Sequence, residues 1–379
     1  MQIKNLKKAS NRILKAIKNN EKIIIYGDAD LDGVSSVIIL KETVKSLGGN
    51  IVDIYFPDRE KEGHGLTETS LKYLKKYNPS LLITLDCGIG NFKEIKLANK
   101  IGFEVIIIDH HQVLDKLPEA KIIVDPKQEG EKYPFKDFAN VGLTFKLAEV
   151  ILGKKMTETL RENFLELTAL GTIADMMPRK DENEKLIAEG LSTLESTWRP
   201  GIQALFELKE IISLNLMERV YKINSILNIR DVENRMPASF RLLNSIDKEE
   251  AKKLAKYLFQ KNIEKREKVA DIVEEVEKRI SLKSGSIIFE GDSNWELILL
   301  GVVASILTKR YNKPVFLYKE QKLESQGAIR AGSGCDVVHA MKEYKGKLIT
   351  FGGHAKAAGF KIKTKELDDF EEHLTKYFK

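Results

Sequence analysis

Over roughly the first third of the chain, apolar runs rich in Ile, Leu and Val alternate with stretches of helical periodicity. The runs Lys22–Tyr26, Ile51–Phe56, Leu81–Leu85, Val105–Ile108 and Ile122–Val124 are short and nearly continuous, as strands buried on both faces are. Between them, Val34–Leu47, Thr67–Tyr77 and Phe92–Ile101 place apolar residues at helical spacing. Such alternation predicts a parallel sheet covered by helices on both faces. Further helices are predicted over Phe138–Leu152 and Leu160–Ala174. Residues 180–280 read as helical and charged, with Asp247–Ile280 as one long helix or two consecutive ones. That stretch holds no chemical constellation and reads as a connector; its heptads are too irregular for a coiled coil. A second α/β pattern begins near Ser286. Strands are expected at Ser286–Phe289, Pro314–Tyr318, Leu323–Ile329, Lys347–Phe351 and Gly359–Ile362, and helices at Gly301–Tyr311, Asp336–Tyr344 and Lys365–Phe378. The expected fold class is therefore α/β: an N-terminal parallel-sheet domain (1–190), a helical connector (191–284) and a smaller C-terminal α/β domain (285–379).

Composition bounds this picture without altering it. A chain of 379 residues, 42% hydrophobic and 31% charged, can bury two full cores. No apolar run is long enough to span a bilayer, and the basic N-terminus alternates Lys with apolar residues as an ordinary helix does. Only Cys87 and Cys335 occur, which excludes a disulfide framework and a zinc cluster and suits a reducing cytoplasm. A net charge of +6 is compatible with a polyanionic partner but does not by itself call for one.

Chemistry gathers where the predicted strands end, the place where open parallel sheets hold ligands. The first run ends in Gly27-Asp28-Ala29-Asp30-Leu31-Asp32-Gly33. Carboxylates crowded in this way repel one another unless cations lie between them, and hard oxygen donors suit Mg²⁺, Mn²⁺ or Ca²⁺. An EF-hand loop also starts D-x-D-x-D-G, but its bidentate glutamate would fall at Ile39, and a strand rather than a helix leads in. The third run ends in Asp86-Cys87-Gly88, the fourth in Asp109-His110-His111 and the fifth in Asp125-Pro126. A single Asp after a strand is usually a cap or turn former, as expected for Asp125. Clusters at several equivalent strand ends would instead converge on one crevice. Asp175, in Gly171-Thr172-Ile173-Ala174-Asp175-Met176-Met177-Pro178, can add a further carboxylate. In the C-terminal part, Arg330-Ala331-Gly332-Ser333-Gly334 and Gly352-Gly353-His354 read as glycine loops that let backbone amides approach an anion.

Taken in order, GDADLDG, LDCG, IDHH and GTIADMMP resemble the motifs of the DHH phosphoesterase superfamily, and in particular its RecJ-like nuclease branch. PDREKEGHGL (57–66) is similar to that family's arginine-containing segment. GVVASILTKRYNKPV, IRAGSGCD and FGGHAKAAGF resemble its C-terminal DHH-associated domain. The resemblance covers roughly residues 20–365. Tyr26 stands where many DHH phosphoesterases have a histidine, which puts the ligation of one metal in question. The chain is also expected to lack the OB-fold that bacterial RecJ proteins add for grip on single strands.

The resemblance implies a hydrolase with two divalent metal ions, Mn²⁺ favoured over Mg²⁺, held by Asp28, Asp30, Asp32, Asp86, His110 and Asp175. It implies that Asp109 orients the histidines, that His111 contacts the scissile phosphate, and that Arg59, Arg330, Gly352, Gly353 and His354 bind substrate. The implied activity is exonucleolytic cleavage of single-stranded nucleic acid, DNA favoured, from an end, in a cytoplasmic DNA-repair setting. Single-stranded nucleic acid is then the main partner, replication or repair proteins are further ones, and no membrane is involved. The alternatives are a phosphodiesterase for short RNAs or cyclic dinucleotides and, ranked lower, a replication-associated scaffold. Relatives of the scaffold kind lose metal ligands, whereas all four motifs are intact here.

Overall fold

The computed structural model describes residues 2–59, 61–113, 116–229, 231–281, 285–344 and 346–379, and the side chain of His354 lies outside what is described. The chain divides into two compact units, Met1–Asn262 and Ile263–Lys379. In the first, α1 (Leu6–Lys18) precedes β1 (Ile23–Gly27), α2 (Leu31–Ser46), β2 (Ile51–Tyr55), α3 (Glu68–Leu74), β3 (Ser80–Leu85), α4 (Phe92–Ile101), β4 (Phe103–Ile108) and β5 (Ile122–Val124). The strands are all parallel, in the order β2-β1-β3-β4-β5. The chain leaves β1 toward β2 and then returns across it to β3, so the strand order reverses between β1 and β3. A crevice opens at the carboxyl ends of strands at such a point.

Both faces of this sheet are covered, which is why its strands are continuously apolar. Ile23 and Ile25 pack with α1, α2 and α5 (Asn140–Leu152), while Ile24, Tyr26 and Leu82 pack with Leu71 of α3 and with Ile95 and Ala98 of α4. After α5 come α6 (Glu158–Ala174), α7 (Asp181–Leu194), α8 (Pro200–Phe206), α9 (Lys209–Ile212), α10 (Leu216–Leu227), the ribbon β6 (Val232–Glu233) and β7 (Met236–Pro237), α11 (Ala238–Asn244) and α12 (Lys248–Ile280). Leu194, Ile202, Val220, Ile223, Leu242 and Ala255 from these helices join the core that holds α2 and α5. Asp247–Ile280, open as one helix or two, forms the single helix α12. No helix among the described residues is long and apolar enough to cross a membrane.

The helix α2 begins three residues before the apolar periodicity that predicted it. The Asp30 carboxylate accepts the Gly33 N–H at 3.1 Å, a side-chain cap that needs no apolar residue. Asp32 therefore lies in the first turn of a helix and not in a strand-end loop.

The second unit adds β8 (Ile288–Asp292), α13 (Leu297–Tyr311), β9 (Val315–Lys319), β10 (Glu324–Arg330), α14 (Val337–Glu343), β11 (Leu348–His354), β12 (Ala357–Lys363) and α15 (Leu367–Tyr377). Its sheet runs β11-β12-β10-β9-β8, with β8 and β9 parallel and the other pairs antiparallel. Val269, Ile272 and Val276 of α12 pack with Leu299, Leu300 and Val303 of α13 over one face, and α14 and α15 cover the other. Here the glycine-loop expectation needs correction. Gly352, Gly353 and His354 are the end of strand β11 itself, paired with Gly359, Ala358 and Ala357. Gly353 has φ 137°, and an added Cβ would lie 2.4 Å from the Ala357 carbonyl oxygen, so glycine is what lets β12 come this close.

Close packing also fixes α6, whose C-terminus bears Asp175. At Gly190 in α7 an added Cβ would lie 2.1 Å from the Leu165 carbonyl oxygen and 2.8 Å from the Ala169 Cβ. Gly190→Ala should lower the unfolding free energy by about 1–3 kcal/mol, as overpacked cores do. Gly90→Ala, with nothing within 4 Å of its added Cβ, is the control and should change it little. Urea denaturation checks both.

Candidate metal centre

The reversal point collects the acidic strand ends. Asp28 follows β1, Asp30 and Asp32 open α2, Asp86 follows β3, and Asp109, His110 and His111 follow β4, while Asp175 caps the end of α6. Asp28, Asp32, Asp86, Asp109 and His110 are all buried. Three groups have candidate ligand atoms within 4.8 Å of one another: Asp28–Asp30–Asp86, Asp32–His110–Asp175 and Asp86–His110–His111. Asp86 and His110 each belong to two groups, so the groups adjoin.

His110 shows what the cluster is built to hold. Its Nδ1 lies 2.9 Å from the Phe138 carbonyl oxygen, an acceptor only, so Nδ1 carries the hydrogen. Burial lowers the pKa of the ring and keeps it neutral. Nε2 then offers a lone pair, and it faces Asp86 Oδ1 at 3.2 Å, Asp175 Oδ2 at 3.6 Å and Asp32 Oδ2 at 3.8 Å. Three carboxylate oxygens crowd around this lone pair, and Asp86 Oδ1 and Asp175 Oδ2 find no hydrogen bond. Burial and then neighbouring carboxylates push Asp32 and Asp175 up to about 7 and raise Asp86 strongly. A divalent cation removes this conflict. Carboxylates with imidazole suit Mn²⁺ or Mg²⁺, and the orphaned oxygens of this chain fit either.

The carboxylates are held in place by polar contacts from distant parts of the chain. Asp32 accepts the N–H groups of Asn140 at 2.8 Å and Val141 at 2.7 Å, the free amides at the start of α5. With its amide turned so that both ends find partners, the Asn140 side chain accepts from the Asp86 N–H at 2.9 Å and from Ser36 Oγ at 3.0 Å and donates to the Ile108 carbonyl oxygen at 2.9 Å. One buried amide thus ties together the ends of β3 and β4 and the helix α2. Asp86 itself has φ 61°, a left-handed backbone that aspartate tolerates better than most residues. Asn228, just after α10, accepts the Leu31 N–H at 3.3 Å and supports the Asp30–Asp32 turn. Sequence reading assigned nothing to Asn140 or Asn228, because neither carries a charge nor lies at a strand end.

The two neighbouring histidines are tuned in opposite directions. Asp109 accepts hydrogen bonds from the N–H groups of Ile89, His110 and His111 and, at 2.7 Å, from His111 Nδ1. Burial alone would raise its pKa, but the His111 bond and these amides hold it below the usual carboxylate range. Burial would lower His111, yet Asp109 outweighs that and raises it to about 9. His111 is partly exposed and protonated, whereas His110 is buried and neutral.

Arg59 lies on the carboxylates: its Nε donates to Asp28 Oδ1 at 2.7 Å, its Nη2 contacts the other Asp28 oxygen, and the same nitrogen lies 3.4 Å from Asp30 Oδ2. His64 stands beside it, with Nδ1 3.9 Å from Asp28 Oδ1. Tyr26 is outside all three ligand groups; its hydroxyl donates to the Gly65 carbonyl at 2.9 Å and its ring stacks on Tyr55. Asp125 accepts the Lys127 N–H at 2.7 Å and shapes the turn after β5, while Lys127 Nζ donates to the His110 carbonyl at 2.5 Å. In the second unit, Arg330 ends β10, donates to the Ile329 carbonyl at 2.8 Å and lies over Gly301 of α13. Arg330 and His354 both pair opposite Ala357, at one level of that sheet.

The raised carboxyls have a stability consequence. Asp32 and Asp175 hold protons up to about pH 7 in the fold but release them near 4 when unfolded. The folded state therefore binds more protons across this window, and stability falls as pH rises through it. In EDTA, the thermal midpoint should drop between pH 5 and pH 8, and Asp175→Asn should flatten that drop. A midpoint in EDTA that rises over this window would contradict the assignment.

Comparison with known proteins places both units of the chain. Residues 22–172 match the profile of the DHH family, N-terminal domain, and residues 284–379 that of the DHHA1 domain. The single-stranded-DNA-specific exonuclease RecJ of Bacillus subtilis (strain 168) is 36% identical over 386 residues, which is 98% of this chain and 48% of that protein. The chain thus spans about half the length of this relative. An exonuclease RecJ crystallised with manganese superposes with a TM-score of 0.83 at 25% identity, covering 100% of this chain and 95% of that one. RecJ from Thermus thermophilus in complex with Mn²⁺ gives 0.86 at 24% identity, covering 100% and 55%, a likeness of fold. Matched in both of its units, the chain belongs to the DHH family, with a DHH N-terminal domain followed by a DHHA1 domain.

Proposed function

We propose that the protein is a metal-dependent phosphodiesterase that degrades single-stranded nucleic acid, DNA in preference to RNA, from an end. The observation that carries this reading is the buried, unprotonated His110 Nε2 facing the oxygens of Asp86, Asp175 and Asp32. It is supported by a relative named as a single-stranded-DNA-specific exonuclease and by a similar RecJ structure bound to manganese. Asp28, Asp30, Asp32, Asp86, His110 and Asp175 would hold two divalent ions, Mn²⁺ favoured. Bound there, such ions would stabilise the negative charge developing on the phosphate oxygens and would lower the pKa of an attacking water.

The remaining roles belong to the chain's own residues. Asp109 holds the His111 ring by its Nδ1 hydrogen, which leaves the other ring nitrogen as a cationic donor for the scissile phosphate. The neutral tautomer of His110 is kept by the Phe138 carbonyl. Arg330 and the Gly352-Gly353-His354 strand end would hold phosphates of the strand without reading its bases. A cytoplasmic location is part of this proposal, supported by two free cysteines, one of them buried. The intact ligand groups count against a scaffold with no catalysis.

End-labelled single-stranded DNA, single-stranded RNA and blunt duplex, digested with Mn²⁺, Mg²⁺ or EDTA, test the proposal. A ladder from one end of the DNA in Mn²⁺, no cleavage in EDTA and duplex cleavage at least about tenfold slower are expected. Preference for RNAs of only a few nucleotides would favour the short-substrate alternative instead. Asp86→Ala should fold normally by circular dichroism yet lose hydrolysis; near-wild-type activity would sink the two-metal assignment. Arg330→Ala should weaken oligonucleotide binding for all sequences and reduce its salt slope by about one counterion, with Mn²⁺ binding unchanged.

A further inference from the structure

We infer that Arg59 occupies the Asp28–Asp30 side of the cluster when metal is absent and passes to the substrate phosphate when the second cation binds, so that this cation and the phosphate bind cooperatively. The inference rests on the metal-dependent reading above and assigns an order of events within it.

The two sides of the cluster differ in their charge partners. Among the described residues, the ion pairs of Asp32, Asp86 and Asp175 are to histidines alone. That side offers the His110 lone pair and orphaned oxygens, and a cation entering there displaces no lysine or arginine. On the other side, Arg59 contacts two members of the Asp28–Asp30–Asp86 group. A divalent ion at the Asp28 oxygens would lie close to the guanidinium held 2.7 Å from one of them, and the like charges would repel and weaken its binding. Arginine stays charged at any working pH, so the exchange proceeds by movement of the side chain and not by loss of its proton.

The segment bearing Arg59 is fastened in a way that keeps it beside the crevice after release. Glu62 accepts from the Tyr55 hydroxyl at 2.8 Å, the Thr67 hydroxyl at 3.3 Å and the Asp58 N–H at 3.1 Å. Leu66 is clamped by the Asn91 amide at 3.1 and 3.2 Å, and the Tyr26 hydroxyl holds the Gly65 carbonyl. The backbone is anchored while the side chain remains partly exposed and can turn. A displaced guanidinium then meets the region where a substrate phosphate must sit, and its planar fork matches phosphate oxygens. Coupling of this kind is reciprocal: phosphate should tighten the second cation as much as the cation tightens phosphate.

The test is Mn²⁺ titration of the full chain, with free Mn²⁺ followed by electron paramagnetic resonance, with and without thymidine 5′-monophosphate. The wild type should show one tight and one weak site, the weak one tightened by the nucleotide. Arg59→Gln should tighten the weak site at least about tenfold, leave the tight one within about twofold, and abolish the effect of the nucleotide. Arg59→Lys keeps the positive charge and should keep the weak site weak. Two wild-type sites that are unchanged in Arg59→Gln would overturn the role of Arg59 alone. A wild type that binds no Mn²⁺ would overturn the metal-centre reading, and the inference with it.

Discussion

Repulsion among buried carboxylates at the β1–β3 reversal point is the constraint that the first unit must meet. Asp28, Asp32 and Asp86 are almost without solvent; burial raises the proton affinity of Asp32 and Asp86, and the charges of Asp30 and Asp175 raise it further. Such a cluster persists only where the surrounding structure over-determines it. Here the sheet, packed on both faces, fixes the strand ends, and polar groups aimed at individual carboxylates do the rest. The start of α5 gives two amides to Asp32, the Asn140 side chain ties the backbone of Asp86 to Ile108 and Ser36, and Arg59 faces Asp28. The cluster is not relaxed by these contacts but held in readiness, with its unsatisfied oxygens turned toward one another.

Adjacent histidines illustrate how placement decides chemistry more than residue type does. His110 and His111 have ring centroids 4.6 Å apart. One donates to a backbone carbonyl and, deeply buried, remains neutral with a lone pair free; the other donates to a carboxylate and is held protonated. A metal ligand needs the first state and a phosphate donor needs the second. The turn after β4 presents both from consecutive residues because Asp109 gathers three backbone N–H groups and fixes the direction of each ring.

The second unit uses backbone where the first uses charge. Its strand end Gly352–His354 is paired residue by residue with β12, and Gly353 is required there by the closeness of Ala357. Arg330 emerges at the same level on β10, so a basic side chain and bare backbone are presented by the two strands that flank β12 in one sheet. Sites carried on strands are positioned more exactly than sites on loops.

Much of this was legible in one dimension. Continuous Ile/Leu/Val runs alternating with helical periodicity imply a parallel sheet, and Asp28, Asp86 and Asp109 lie next to those runs, so their convergence follows from local pattern alone. Pairings between distant residues were not legible. The start of α2 depends on a cap, Asp32 meets Asn140 across 108 positions, and Leu31 meets Asn228 across 197. Likewise the glycine pair near residue 352 reads as a loop until β12 is seen to pair with it. Periodicity records which face of an element is buried; which uncharged amide or arginine then meets a given carboxylate is decided only when chain packing brings the two together.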